Sequence, residues 1–471
     1  MKRQIRKKLV AEKSSFFTDH PGFEPFRTFK MLNDASYIEA VFNGPLYGQV
    51  SVAGAKNMVT KVIAASLSGE MGMVKINNVP FIGELAITLA LCRRLGVKFR
   101  VNPDKSLDLQ VDGFDNPNVK FDSHLGNRTS ILLAGPVLDK LGEANIGKPK
   151  GCEIGNRKIN FHIEGLRAFG VEVVEHKDFL ALKLKKKRFK PAEIKLPFPS
   201  VGATENLIII ASLAEGISTI KNAAMEPEIL EMVKILQQSG VSITLDSSGT
   251  FKIKGGPHKM VDTINIIPDR VEAFSWAVMA LSTKGDIFVK GARQDHLLTA
   301  LGLLIEMGAG VEVKPDGIRF YYKGKIKPFN IETRVYPGFV TDFQQPLAIL
   351  FSQCQGQSQI HETIFENRFM YLERIKKLLS SGGIKVGVNC PIGSSCRFKG
   401  KNYPHLAIID GPLKFAKGET QIDDLRAGFA LLNMGILSQK VRIRGVKLLY
   451  RGYENPVEKL RSVGANIKLV I

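Results

Sequence analysis

Leu91 to Phe99 reads L-C-R-R-L-G-V-K-F: the end of a helical run, a leucine, a glycine, a β-branched residue and the start of a strand. The phrase returns five times, as G-L-R-A-F-G-V-E-V from Gly165, I-L-Q-Q-S-G-V-S-I from Ile235, L-I-E-M-G-A-G-V-E-V from Leu304, I-K-K-L-L-S-S-G-G-I-K-V from Ile375 and K-L-R-S-V-G-A-N-I from Lys459. The copies lie roughly 70 to 80 residues apart, longer than the common solenoid periods. A second phrase alternates with the first: S-L-S-G-E-M-G-M-V-K-I-N-N from Ser66, S-L-A-E-G-I-S-T-I-K-N-A from Ser212, L-S-T-K-G-D-I-F-V-K-G-A from Leu281 and S-Q-C-Q-G-Q-S-Q-I-H-E-T from Ser352. Glycine just past a helix end supplies the left-handed residue that stops it, and the β-branched run that follows reads as strand.

The chain is therefore six α/β modules. A module of this size cannot bury its own apolar face, so modules must pack on one another, and three plus three is the natural division of 471 residues into two domains. The turn formers Pro268 and Asp269 place the boundary in I-I-P-D-R-V-E, Ile266 to Glu272. The expected division is residues 57–267 for one domain, residues 41–56 with 268–471 for the other, and residues 1–40 as a basic flexible extension, within which Met31 is an alternative start. The first unit is expected to open on a strand pair between Val41 and Ala53. The run K-L-K-K-K-R-F-K from Lys183 reads as an exposed edge strand, where lysines prevent edge-to-edge pairing. The segment Asn389 to Lys401 reads as an irregular loop without chemistry.

Composition is that of an ordinary globular protein, with 44% hydrophobic and 24% charged residues, and no run approaches the 18 apolar residues a membrane span needs. The five cysteines, Cys92, Cys152, Cys354, Cys390 and Cys396, are odd in number and lack C-x-x-C spacing. That argues against a disulfide framework or a zinc motif and for the reducing cytoplasm. The net charge of +21 favours anionic partners. Eight Lys or Arg stand among the first thirty residues against three acids, yet most of the excess is spread over the body. It is not gathered with interleaved aromatics as a nucleic-acid-binding face would be.

Several polar stretches carry chemistry. From Glu143 to His162 the sequence suggests a mobile cationic loop, with Cys152 at its tip among Lys148, Lys150 and Arg157, where neighbouring positive charge favours a reactive thiolate. G-A-K-N at Gly54 puts Lys56 and Asn57 at a strand-to-helix turn suited to an anion. P-S-V-G-A-T-E-N opens another helix at Ser200. D-D-L-R at Asp423 and Y-R-G-Y-E at Tyr450 place arginines in polar turns, and arginines gathered from distant turns hold carboxylates and phosphates.

These motifs, with P-K-G-C-E-I-G-N-R, P-D-R-V-E, T-D-F-Q-Q and E-T-I-F-E-N-R-F-M, closely resemble those of the UDP-N-acetylglucosamine enolpyruvyl transferases, in the family's order from about residue 41 to the C-terminus. The resemblance implies an inside-out α/β barrel fold, two domains of three units about pseudo-threefold axes, with the active site in the cleft between them. It implies transfer of enolpyruvate from phosphoenolpyruvate to the 3-hydroxyl of UDP-N-acetylglucosamine with release of phosphate, the committed step of peptidoglycan synthesis, without metal or organic cofactor. Cys152 matches the proton donor that fosfomycin alkylates, and Asp342 a carboxylate near the hydroxyl. Lys56, Asn57, Arg157, Arg426 and Arg451 match the phosphoenolpyruvate clamp. Arg128, Arg157, Lys158, Ile159, Asn160, Phe161, Pro199, Ser200, Val201, Asp342 and Ile364 match the nucleotide-sugar contacts. The chain departs from the family at R-K-I-N-F-H, usually R-P-V-D-L-H or R-P-I-D-L-H, and at P-K-G-C, usually P-G-G-C. These changes bear on substrate identity and leave as the alternative a paralogue that transfers enolpyruvate to another nucleotide or nucleotide sugar; the alternatives of a different class are a basic nucleic-acid-binding protein and a non-catalytic scaffold, the latter opposed by the competent side chain at every matched catalytic position. The related shikimate 3-phosphate transferases share the fold and lack the cysteine loop. The sequence leaves the oligomeric state open.

Overall fold

The computed structural model describes residues 20–119, 128–148, 159–391, 393–394 and 396–471. The named strands form six four-stranded sheets of one design: a short edge strand runs parallel to its neighbour, and the remaining two follow antiparallel. In the first, Thr263–Asn265 pairs in parallel with Gly72–Asn77, which pairs with Leu107–Val111 and that with Lys98–Val101. The parallel strand always comes from a neighbouring unit. Asn118–Val119 joins Glu143–Gly147, Glu193–Lys195 joins Gly216–Lys221, and Thr263–Asn265 returns to the first unit, so three sheets close a ring. Tyr47–Ser51, Asn330–Glu332 and Gly418–Gln421 do the same for the other three. Handing an edge strand to the next unit covers one open edge of each sheet and ties the modules together.

The six phrase glycines, Gly96, Gly170, Gly240, Gly308, Gly382 and Gly464, all have φ between +83° and +105°. Each makes the reversal into a strand that a side chain would resist. In the fifth copy the reversal has moved into the strand Leu379–Gly387, where Gly382 sits at a shift of register. In the second phrase Gly216 and Gly356 take the left-handed conformation, but Lys284 takes it in place of Gly285.

Each ring is filled by helices that are apolar nearly all round, the mark of a helix with no solvent face. Lys56–Ser66, Ala134–Leu141 and Val201–Leu213 serve the first ring; Arg270–Ser282, Gln344–Phe351 and Leu425–Leu437 pack on one another in the second. The chain passes from the second ring into the first at residues 53–55 and back at residues 267–269, side by side. Ala55 N donates to Ile267 O at 2.7 Å and Asp269 N to Ala53 O at 2.9 Å, with Gly54 bridged to Pro268. A Cβ on Gly54 would stand 1.9 Å from the Asn78 carbonyl oxygen, so only glycine passes there. The Asp269 carboxylate accepts from Val271 N and Glu272 N at the start of its own helix and from Lys56 N, at 3.0 Å, at the start of the other.

Four sequence expectations change. Residues 20–40 are no flexible extension: Phe23, Phe26 and Phe29, one face of a short helical segment, are buried, with Phe23 edge-on to Phe99 and Phe26 to Phe81. Their regular spacing is masked in the sequence by the surrounding charge. The strands Tyr37–Val41 and Tyr47–Ser51 are not a pair but belong to different sheets of the second ring. The lysine run is no edge strand, because Lys183 and Leu184 end the internal strand Phe179–Leu184 and Lys185–Arg188 follow as a bend. The mobile loop expected from Glu143 does not start there, since Glu143–Gly147 is a strand with Ala144 and Ile146 alternating into the core.

Candidate active site

A cavity of about 510 Å³ lies between the rings. The starts of all six ring-filling segments face it: Lys56 and Asn57, Arg128 and Thr129, Ser200 and Val201, Arg270, Thr341 and Asp342, and Asp424 to Arg426. Helix N-termini carry unsatisfied N–H groups and partial positive charge, so the threefold design of each ring turns an anion-attracting end toward one space.

Arg426 is buried and its Nε donates to Asp342 Oδ2 at 3.1 Å; its two terminal nitrogens make no hydrogen bond of ordinary geometry among the described residues, Tyr453 lying beside them with its ring centroid 5.6 Å from the guanidinium. Arg368 holds the other side of that carboxylate, NH2 to Oδ1 at 2.7 Å, and its NH1 donates to Thr341 Oγ1 at 2.7 Å. Burial by itself raises the Asp342 carboxyl, but the charges of Arg368, Arg426 and Lys56 more than offset it and hold the group well below the usual carboxylate range. Lys56 is pushed down to about 8, mainly by burial. Arg451 is forked onto Glu84 Oε2 at 2.8 and 3.2 Å, joining the rings across the cavity wall. Arg270 and Glu228 form a second inter-ring pair, bidentate at 3.0 and 3.2 Å and buried on both sides.

Two further carboxyls are poised between charge states. Burial raises Glu205 to about 8, and neither of its oxygens has a hydrogen-bond partner among the described residues. Burial likewise raises Glu226 to about 7. His162 is kept neutral, pushed down to about 3 by burial and by Arg128.

Of the residues expected from sequence, Lys56, Asn57, Arg128, Asn160, Phe161, Pro199, Ser200, Val201, Asp342, Ile364, Arg426 and Arg451 line this one cavity. Ile159 instead packs against the hydrophobic core. Cys152, Arg157 and Lys158 lie outside the described residues. The sequence reading missed Glu84, Glu205, Glu226, Glu228, Arg270, Arg368 and Arg397, all of them in the wall. Arg270, Glu205 and Arg368 stand inside motifs already quoted, P-D-R-V-E, P-S-V-G-A-T-E-N and E-T-I-F-E-N-R-F-M, and were legible there as charges placed at helix starts. Arg397 reaches across, donating to the Ile364 carbonyl and lying 5.1 Å over the Phe198 ring of the opposite ring of units.

The family model for EPSP synthase (3-phosphoshikimate 1-carboxyvinyltransferase) matches residues 42–460. In the solved structures, the enolpyruvyl transferase NikO from Streptomyces tendae superposes with a TM-score of 0.79 at 22% identity, over 92% of this chain and 99% of that one. An EPSP synthase from Acinetobacter baumannii superposes with a TM-score of 0.69 at 16% identity. These two establish the fold. The chain belongs to the enolpyruvyl transferase family. Within it the similarity is to UDP-N-acetylglucosamine 1-carboxyvinyltransferases: 39% identity to that of Chlamydia abortus over 91% of this chain and 97% of that protein, and 38% to that of Protochlamydia amoebophila over 90% and 92%.

Proposed function

We propose that the protein transfers the enolpyruvyl group of phosphoenolpyruvate to the 3-hydroxyl of UDP-N-acetylglucosamine, releasing phosphate. The observation that carries this reading is the buried Arg426 with two unpaired terminal nitrogens, beside Lys56 and Asp342 in a cavity faced by six helix starts. Buried unpaired guanidinium donors call for an anion, and phosphoenolpyruvate offers a phosphate and a carboxylate. The relatives' names supply the acceptor sugar.

In the addition step a proton goes to the enol methylene carbon, the sugar oxygen bonds to the neighbouring carbon, and the hydroxyl proton leaves to a base. In the elimination step the methyl group loses a proton as the C–O bond to phosphate breaks, which restores the enol. Cys152 is the proton donor in this scheme and Asp342 the base. Lys56, Arg157, Arg426 and Arg451 clamp the phosphoenolpyruvate and stabilise charge as it develops. Asp342 held far below neutrality is a weak base. An incoming anion at the terminal nitrogens of Arg426 offsets part of the positive charge that holds Asp342 down, so substrate binding itself raises the basicity of Asp342.

The reading places the reaction in the cytoplasm, where phosphoenolpyruvate and nucleotide sugars are made; no described helix is long and apolar enough to cross a membrane. The test is phosphate release from phosphoenolpyruvate with a panel of UDP-sugars and free nucleotides. Turnover with UDP-N-acetylglucosamine supports the reading, and turnover only with another nucleotide establishes the paralogue.

A further inference from the structure

Four side chains outside the cavity meet at one end of the fifth sheet. His361 ends the strand Gly356–His361 and is in register with Leu406, so His405 just ahead of Leu406 brings a second imidazole beside the first, ring centroids 5.4 Å apart. Gly387 pairs with Leu406 from the other side, and the chain leaving it carries Cys390 and Cys396 back over both rings. Cys390 Sγ lies 3.5 Å from Cys396 Sγ and 3.4 Å from His405 Nε2, and one ligand atom from each of the four residues lies within 4.8 Å of the others.

Both imidazoles are oriented as metal ligands are. Glu332 Oε2 sits 2.9 Å from His361 Nδ1 and the Tyr403 carbonyl oxygen 2.7 Å from His405 Nδ1. Acceptors there hold the proton on Nδ1 and leave the Nε2 lone pair free, the usual arrangement behind a metal-bound histidine. His361 is 1% exposed, yet its Nε2 has no hydrogen-bond partner among the described residues. A buried nitrogen left unpaired is costly, so this one is made for an occupant. Phe398 N donates to Cys396 Sγ at 3.3 Å.

Distances select the occupant. Zinc–sulfur bonds of about 2.3 Å and zinc–nitrogen bonds of about 2.0–2.1 Å in a tetrahedron put the two sulfurs about 3.8 Å apart and sulfur about 3.6 Å from nitrogen. The observed 3.5 and 3.4 Å fall within a few tenths of these, and the four donors, all within 4.8 Å of one another, would draw in by up to about 1 Å on the metal, whereas a disulfide needs about 2.0 Å. Two thiolates and two imidazoles suit zinc, and four protein donors leave no open position for catalysis. Among the described residues from Val388 to Pro404 only Phe398 is buried, and Ser394 donates to Glu332 Oε2 at 2.8 Å, the same carboxylate that orients His361.

We propose that His361, Cys390, Cys396 and His405 form a closed structural zinc site that pins the loop from Val388 to Pro404 onto the fifth unit. Arg397 follows Cys396 directly and reaches the cavity wall at Ile364 and Phe198. Zinc therefore also sets the position of a cation at the mouth of the active site, a consequence that rests on the function proposed above.

The full-length chain, expressed with zinc chloride and purified without chelator, should carry about one zinc per chain by elemental analysis. The double variant Cys390→Ser/Cys396→Ser should lose it, and Glu332→Gln should bind zinc about 10–100-fold more weakly. If the double variant fails to fold, wild-type protein stripped by chelation and titrated with cobalt chloride decides, through the visible bands of tetrahedral cobalt and the thiolate charge-transfer band. A reduced wild-type chain that takes up neither zinc nor cobalt would overturn the site, as would unchanged zinc content in the double variant. So would a Cys390–Cys396 disulfide in protein that binds no metal once reduced. Removing zinc should raise KM for the nucleotide sugar with little change in kcat, as should Arg397→Ala in protein that still holds its zinc. An unchanged KM after zinc removal would overturn the link to the cavity and leave the function itself untouched.

Discussion

Arg426 and Asp342 hold each other in the wall of the cavity, guanidinium Nε to carboxylate oxygen at 3.1 Å, with Arg368 closing the other side of the carboxylate at 2.7 Å. The base of the proposed reaction is thus held between two guanidiniums, while the terminal nitrogens of Arg426 stay open to an anion. Asp342→Asn frees Arg426 while removing the base. In steady-state phosphate release it should lower kcat about 10²–10⁴-fold and leave KM for phosphoenolpyruvate unchanged or lower. A raised KM at unchanged kcat would assign Asp342 to substrate binding instead.

Lys56 gives the free protein a pH dependence near 8. Burial is the main cause of its lowered pKa; Arg426 and Lys61 add to it, and Glu84 and Asp342 oppose it. The lysine is charged below about 8 and neutral above. An anion stabilises the charged form and raises the pKa in the complex. Affinity for phosphoenolpyruvate should therefore be full below pH 8 and fall as pH rises through that value toward the pKa of the complex. Calorimetric titration between pH 6.5 and 9.5 reads this out. Lys56→Arg, charged throughout, should flatten the profile, and a wild-type profile already flat across pH 8 would remove Lys56 from the anion site.

The pair Arg270–Glu228 ties the two rings with both partners buried. Glu228→Ala strands the arginine and should cost about 3–5 kcal/mol in urea denaturation, whereas replacing both residues by apolar ones of similar volume should cost much less. Equal losses for the single and double replacements would mean that packing, not the stranded charge, sets the penalty.

Cys152 should be the thiol that fosfomycin labels. Cys92 and Cys354 are buried and pushed up to about 12, which keeps them as unreactive thiols, and zinc would cover Cys390 and Cys396. Peptide mapping after treatment should find label on Cys152 alone, with Cys390 and Cys396 reacting with a general alkylating agent only after chelation. Cys152→Ser should lose most turnover, because a hydroxyl is a poor acid. Cys152→Asp should keep appreciable turnover and resist the epoxide. Full activity of the serine variant would relieve Cys152 of the proton-donor role.

What the chain settled by itself was whatever depends on neighbours in sequence. Gly96, Gly170, Gly240, Gly308, Gly382 and Gly464 announce six modules because a left-handed turn is a property of one residue and its flanks. Five cavity motifs, G-A-K-N, P-S-V-G-A-T-E-N, P-D-R-V-E, T-D-F-Q-Q and D-D-L-R, were readable for a related reason: each opens a ring-filling segment, and a helix start is marked locally by its polar residues. Only the tertiary structure decided which charges neutralise one another. Asp342 takes Arg368 and Arg426 from other units of its own ring, while Arg451 takes Glu84 and Arg270 takes Glu228 across the two rings. The same holds for the phenylalanines of residues 20–40, whose burial depends on a surface the first unit supplies. It holds most of all for His361, Cys390, Cys396 and His405. Their spacing in the chain matches no metal motif, and antiparallel pairing of three strands is what brings four donors to one point.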